Sequence, residues 1–216
     1  MRAAIMVIAV LAGTASATQT DDLAAIHTAG ADCDTGRAHC IGIHLHVAGD
    51  DSGLVVDADW VARALASAHR HFGSIDADFK IVAIDALPRA DIHIETRADR
   101  DRLAAAGLPG KVIHVFVVGK LDDIDHERPF IYGVTWRKGD RKFIIVSNAA
   151  RERTLAHELG HFFGLPHSNY PISIMNKTPR EEPPEYERRF ADEEIPIMRA
   201  TLSRLLHDGV IVDRPN

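Results

Sequence analysis

The chain has 216 residues, a formal net charge of -6, 46% hydrophobic residues and 26% charged residues. That balance excludes extensive disorder, and its mild acidity argues against nucleic acid as a partner. One domain built on a single sizeable core is the default at this length.

Residues 1–17 stand apart from the rest. Arg2, an apolar run from Ala3 to Ala12 and the small residues Ala15, Ser16 and Ala17 have the pattern of a secretory signal peptide. About ten apolar residues fall short of the roughly twenty that span a bilayer. The chain is therefore expected to be secreted, periplasmic or extracellular, with no integral membrane segment once the leader is removed. Residues 18–39 carry few large apolar side chains and read as a flexible leader or short pro-segment. The two cysteines, Cys33 and Cys40, are close in sequence, and an oxidising compartment favours a disulfide between them.

Order is expected from Cys40 onward. CIGIHLHV alternates as a strand does, with Ile41, Ile43, Leu45 and Val47 on one face and His44 and His46 on the other. The two histidines are either a half-exposed strand face or candidate ligands of a second metal. After an aspartate cap, Trp60, Val61, Ala64, Leu65, Ala68 and Phe72 recur at helical spacing. FKIVAID and DIHIET are β-like segments around Pro88, ADRDRLAAAG is a brief helix ending at Gly107, and KVIHVFVVG is a buried strand. In LDDIDHERP, Asp122, Asp123, Asp125 and Glu127 form an acidic loop, to be read as solvated or as a calcium site, although no calcium spacing rule is met. FIYGVTWR and KFIIVSN flank the turn RKGD as a hairpin.

The stretch TLAHELGHFFGLPH, residues 154–167, carries the chemistry. His157 and His161 are four residues apart and therefore share one face of a helix, where two imidazoles can hold one metal. Glu158 lies between them, able to take a proton from metal-activated water without being a ligand, which makes it the candidate general base. Gly164 allows the helix to end in a left-handed conformation and Pro166 discourages its continuation. His167 can then approach the same metal from outside the helix. Three neutral nitrogens leave a fourth position open, as in a catalytic zinc site. Beyond a loop rich in proline and charge, Ile195, Met198, Leu202, Leu205 and Leu206 make a helical stripe, with Pro196 in the first turn.

HELGHFFGLPH matches every fixed position of the metzincin zinc motif, and the SIM at residues 173–175 places Met175 as the Met-turn methionine. TLA before the motif and HSNYPISIM at its end resemble the matrixin (matrix metalloprotease) branch. The chain also lacks the tyrosine two residues after the methionine that astacins and serralysins carry. The resemblance implies an α+β zincin fold with a twisted, mostly parallel sheet. Long helices belong to an upper subdomain (residues 40–164), and a small lower subdomain (residues 165–216) ends in a C-terminal helix.

The resemblance further implies a zinc-dependent endopeptidase with one catalytic Zn2+ on His157, His161 and His167. Met175 would form an apolar floor beneath the imidazoles, and Tyr170, Pro171 and Ile172 would shape the pocket wall. Residues Ile131 to Trp136 would pair antiparallel with an extended polypeptide substrate. It adds Ca2+ as a further candidate ion, and the chain is expected to act as a monomer. In matrixins a pro-segment cysteine thiolate caps the zinc in a latent zymogen, so Cys33 has this second reading besides its disulfide with Cys40. The rival is a secreted zinc-binding or inhibitor-like module without proteolytic activity, for which a fourth protein ligand is missing.

Overall fold

Strict alternation in CIGIHLHV gives the two faces of one strand different layers to meet. The computed structural model describes residues 17–33, 36–126 and 129–215. In chain order the elements are α1 (Ala17–Ala29), β1 (His39–Asp50), β2 (Gly53–Leu54), α2 (Ala58–Phe72), β3 (Ala77–Leu87), β4 (His93–Ile94) and α3 (Arg97–Leu103). They continue with β5 (Ile113–Val118), β6 (Lys120–Leu121), β7 (Gly133–Lys138), β8 (Arg141–Ser147), α4 (Thr154–Phe162) and α5 (Ile195–His207). The fold is α+β, with a mostly parallel sheet. β1 pairs parallel with both β3 and β5, β5 pairs parallel with β8, and β7 closes the row antiparallel to β8. The short β2 folds back on the end of β1, and β4 and β6 form a separate pair. No helix among the described residues is long and apolar enough to cross a membrane.

The expected faces of β1 are present. Ile41, Ile43, Leu45 and Val47 join the main core under α2 and α4, whereas His44 and His46 point to the other side. Asp57 caps α2 by accepting a hydrogen bond from the Trp60 amide at 2.8 Å, satisfying a donor that the first turn leaves unpaired. At the base of the core, Phe72 of α2 lies with its ring centroid 4.9 Å from Phe79, 5.3 Å from Phe163 and 5.2 Å from Phe190. One aromatic side chain thus joins α2, β3, the end of α4 and the segment before α5, which fixes α4 against the sheet. A second, smaller core on the opposite face gathers Phe116, Phe143, Ile145 and Leu121.

Two expectations change. The segment 18–39, read as a flexible leader or short pro-segment, instead contains α1, and α1 is docked. Ile26 is fully buried in the main core, Leu23 packs beside it, and the Ile81 amide donates to the Gly30 carbonyl at 2.6 Å. A side chain at Gly30 would collide with Ile81 and Leu65, so this glycine allows the helix end to reach the sheet. Two large apolar residues in a mostly small and polar stretch are too weak a pattern to announce such a helix, whose stability comes from docking. Cys33 and Cys40 are joined in a disulfide with Cα atoms 5.9 Å apart. A sulfur so bonded offers no thiolate, and the latent-state capping role of Cys33 is set aside on that ground. The expected signal peptide lies, except for Ala17, outside the described residues, as does Glu127 of the acidic loop.

In that loop Asp122 pairs with Lys120 at 2.9 Å and with His93 at 3.1 Å, and Asp125 pairs with Arg97. Asp123 accepts from the amides of Asp125 and His126. Asp122 lies with His93 and Glu95 in a group close enough to share an ion, whereas Asp123 and Asp125 are turned to other partners.

Docking of α1 has a measurable consequence. Ile26→Ala is expected to destabilise the chain by about 2–5 kcal/mol in denaturant unfolding, the cost of emptying a buried isoleucine site. A flexible leader would give no change.

Candidate metal centre

The helix α4 buries Leu155, Ala156, Leu159 and Phe162 and turns His157 and His161 towards a cleft. Each ring is fixed by its Nδ1. His157 Nδ1 lies 2.8 Å from the Ile174 carbonyl oxygen, and His161 Nδ1 lies 2.7 Å from that of Leu165. A carbonyl only accepts, so both rings carry their proton on Nδ1 and present a bare Nε2. Gly164 takes φ +95°, ending the helix and returning the chain to the same cleft. This brings His167 Nε2 to 3.2 Å from His161 Nε2.

Nitrogens at the corners of a tetrahedron around zinc, each about 2.0–2.1 Å from the ion, are separated by about 3.3 Å. The three histidines offer ligand atoms that all lie within 4.8 Å of one another. Burial pushes His157 and His167 down to about 4, and His161 in the same direction. The rings are neutral at pH 7, the form that binds a metal. Geometry, tautomer and charge all fit a zinc ion.

Glu158 is buried beside the histidines, and burial pushes its carboxyl up to about 7 against the opposing effect of Thr135. Thr135 Oγ1 reaches the Glu158 carbonyl oxygen at 2.7 Å and Oε2 at 3.0 Å. At Gly133 an added Cβ would meet Glu158 Cγ at 2.9 Å and Thr154 Cγ2 at 2.9 Å. The start of β7 therefore passes close over the carboxylate because it has no side chain there. Neither Gly133 nor Thr135 had a sequence signal; their roles arise from β7 lying across α4.

On the turn that follows His167, Met175 is fully buried. An added Cβ at Gly160 would lie 2.6 Å from Met175 Sδ, so this helix glycine lets the methionine pack directly on α4. The turn carrying Met175 is held from behind by a buried carboxylate. Glu194 accepts from Ser173 Oγ at 2.7–2.8 Å and from the Ala191 amide at 2.8 Å, while Ser173 Oγ accepts from the Met175 amide at 2.9 Å. Glu194 had no sequence signal; its role arises from the packing of the segment before α5 on the turn at Ser173.

The cleft has a volume of about 710 Å³ and runs along β7, from Phe130 and Tyr132 past the histidines to Asn176 and Lys177. β7 ends the sheet, paired on one side with β8. The expected role of Tyr170 in the wall changes: it borders a separate hollow with Pro166, Ser168 and Asn169, and Ile174 lines the cleft.

A fold of this kind with three histidines on HExxH and a following loop defines a zinc metallopeptidase of metzincin type. A sequence model of the matrixin peptidase family matches residues 56–195, and the chain belongs to that family. No match exists among curated proteins. In fold the chain is similar to archaemetzincin from Methanopyrus kandleri, at 19% identity and a TM-score of 0.53, over 79% of this chain and 100% of that one. It is also similar to metalloproteinase-II from Bacteroides fragilis, at 10% identity and a TM-score of 0.54, over 82% of this chain and 60% of that one. Promirolysin from Tannerella forsythia aligns at 10% identity and a TM-score of 0.50 over 88% of each chain.

The support behind Met175 can be probed directly. Ser173→Ala removes a hydrogen bond to a buried carboxylate and is expected to cost about 1–3 kcal/mol in denaturant unfolding. An unchanged midpoint would show that the turn stands without it.

Proposed function

We propose that the chain is a secreted endopeptidase that holds one zinc ion on His157, His161 and His167 and uses Glu158 as general base. The observation that carries this reading is the buried Glu158 carboxylate, which lines one cleft with His157, His161 and His167 and is roofed by the edge strand β7. When bound, zinc supplies Lewis-acid polarisation of the scissile carbonyl and acidifies water. The chain's own residues do the rest. Glu158 takes a proton from the attacking water at a carboxylate oxygen as the water oxygen bonds to the carbonyl carbon. It then delivers that proton to the departing amine nitrogen as the C–N bond breaks. Thr135 Oγ1 orients the carboxylate through its contact with Oε2.

Met175 serves as the Met-turn methionine, giving the imidazoles an apolar floor that cannot compete for the ion. The exposed side of β7, Gly133–Lys138, receives an extended polypeptide as an added antiparallel strand, so affinity comes from backbone pairing with little demand on sequence. The cleft divides an upper part (residues 40–164) from a lower part (residues 165–216). Secretion rests on the leader pattern of residues 1–17 and agrees with a disulfide at Cys33 and Cys40. The rival, a zinc-holding module without proteolysis, would need a fourth protein ligand, and the sulfur of Cys33 is engaged elsewhere.

Glu158→Gln is expected to keep zinc at the site and to lower peptide hydrolysis about 10²–10⁴-fold. Cleavage-site profiling of a peptide library with the zinc-loaded parent and variant reads this directly. A variant that holds its metal and cleaves at the parent rate would remove Glu158 from the reaction. Gly133→Val should act similarly by displacing the Glu158 carboxylate, lowering kcat while leaving the zinc content unchanged.

A further inference from the structure

A second group of histidines lies on the other side of the sheet. His44 and His46 of β1 and His114 of β5 offer ring nitrogens within 4.8 Å of one another. β1 and β5 are paired parallel with His44 opposite His114, so the sheet register itself brings the three rings together. The same register on the other side sets His46 of β1 opposite Asp85 of β3. Asp85 Oδ2 lies 2.6 Å from His44 Nε2 and 3.6 Å from His46 Nδ1. The group is partly enclosed: His114 is buried, His44 and His46 are half-buried, and Asp85 faces solvent. The His46 ring stacks 4.4 Å from Phe116, which braces it from one side.

Proton placement shows what these rings lack. His114 Nε2 lies 2.9 Å from the Pro109 carbonyl oxygen, a pure acceptor, so a neutral His114 carries its proton there and presents a lone pair at Nδ1. That lone pair faces His46 Nε2 at 3.0 Å. If His46 donates to it, the other nitrogen of His46 becomes a lone pair turned towards the Asp85 carboxylate. If instead the His46 proton sits on Nδ1 towards Asp85, the lone pairs of His46 Nε2 and His114 Nδ1 face each other at 3.0 Å, and a cation beside them would satisfy both. A ligand histidine whose other N–H is held by a backbone carbonyl is the arrangement seen around bound metals.

We propose that His44, His46 and His114 form a second metal site that takes a divalent transition metal, zinc in particular, with the Asp85 carboxylate beside it as a hydrogen-bond partner of His44. Three imidazole nitrogens within 4.8 Å of one another suit zinc, whereas calcium and magnesium prefer oxygen. The ligands sit on paired strands of the sheet, which makes this a structural site. It ties β1 and β5 together on the face opposite α4, and it takes no part in peptide hydrolysis. Its ligands come from two strands far apart in sequence, so binding would stabilise the folded sheet over the unfolded chain.

The test counts metal in the full chain after chelation, reloading with zinc and removal of free ion. The parent is expected to retain two zinc ions per chain, His157→Ala/His161→Ala one, and His44→Gln/His46→Gln one. Because His157→Ala/His161→Ala leaves the second cluster intact, it is decisive even if the His44 and His46 variants fold poorly. Zinc should raise its thermal midpoint, and cobalt in place of zinc should give the visible bands of a tetrahedral site. A parent that holds a single zinc, together with His157→Ala/His161→Ala holding none and melting alike with and without zinc, would overturn the proposal. If zinc is lost with His44→Gln/His46→Gln but not with His157→Ala/His161→Ala, this site stands and the catalytic assignment falls.

Discussion

The hydrogen bond from His157 Nδ1 to the Ile174 carbonyl joins the two parts of the protein that make the site. It fixes the tautomer of a histidine on α4 and the position of the turn that carries Met175. Around it the packing leaves little freedom. Gly160 lets Met175 reach the helix, Phe190 packs against the same glycine, and the Glu194 carboxylate holds Ser173 from behind. A buried carboxylate used in this way gains from accepting several donors at once, since losing one exposes the cost of its desolvation. The site is therefore rigid because its supports are buried.

The sheet decides where the cleft lies. β1 lies inside the row and pairs on both sides, so it cannot offer a free edge, while β7 is last in the row and faces α4. The reversal of direction at β7, through the turn at Gly139, is what puts an antiparallel edge next to the histidines. Gly133 and Thr135 then act on Glu158 from that edge, one by leaving room and the other by donating a hydrogen bond. The substrate strand and the carboxylate are thus held by one element.

Two clusters of three histidines occur on opposite faces of the same sheet, and their surroundings differ in a way that matters chemically. At α4 the third ring comes from a loop and a glutamate stands beside the ligands without joining them. On the far face all three rings come from strands, and a carboxylate from β3 lies within reach. A carboxylate poised beside the ligands suits reaction, and ligands held within paired strands suit support.

Much of the chain was legible in its residues because local spacing carried the information. The interval between His157 and His161, the glycine at 164, the alternation of β1 and the Asp57 cap each predict a local geometry that the fold keeps. α1 was not legible, because Leu23 and Ile26 give a helix only when Ile81 and Leu65 are there to receive it. Whether Cys33 pairs with Cys40 or caps the zinc was left open by the residues and is decided by the disulfide. The contacts of Gly133, Thr135, Glu194 and His114 join residues far apart in sequence, and no periodicity records such a meeting. The sequence by itself determined which side chains can bind a metal and move a proton; the tertiary structure decided which of them meet. Meeting depends on strand register and helix docking, which belong to the whole chain and to no single stretch of it.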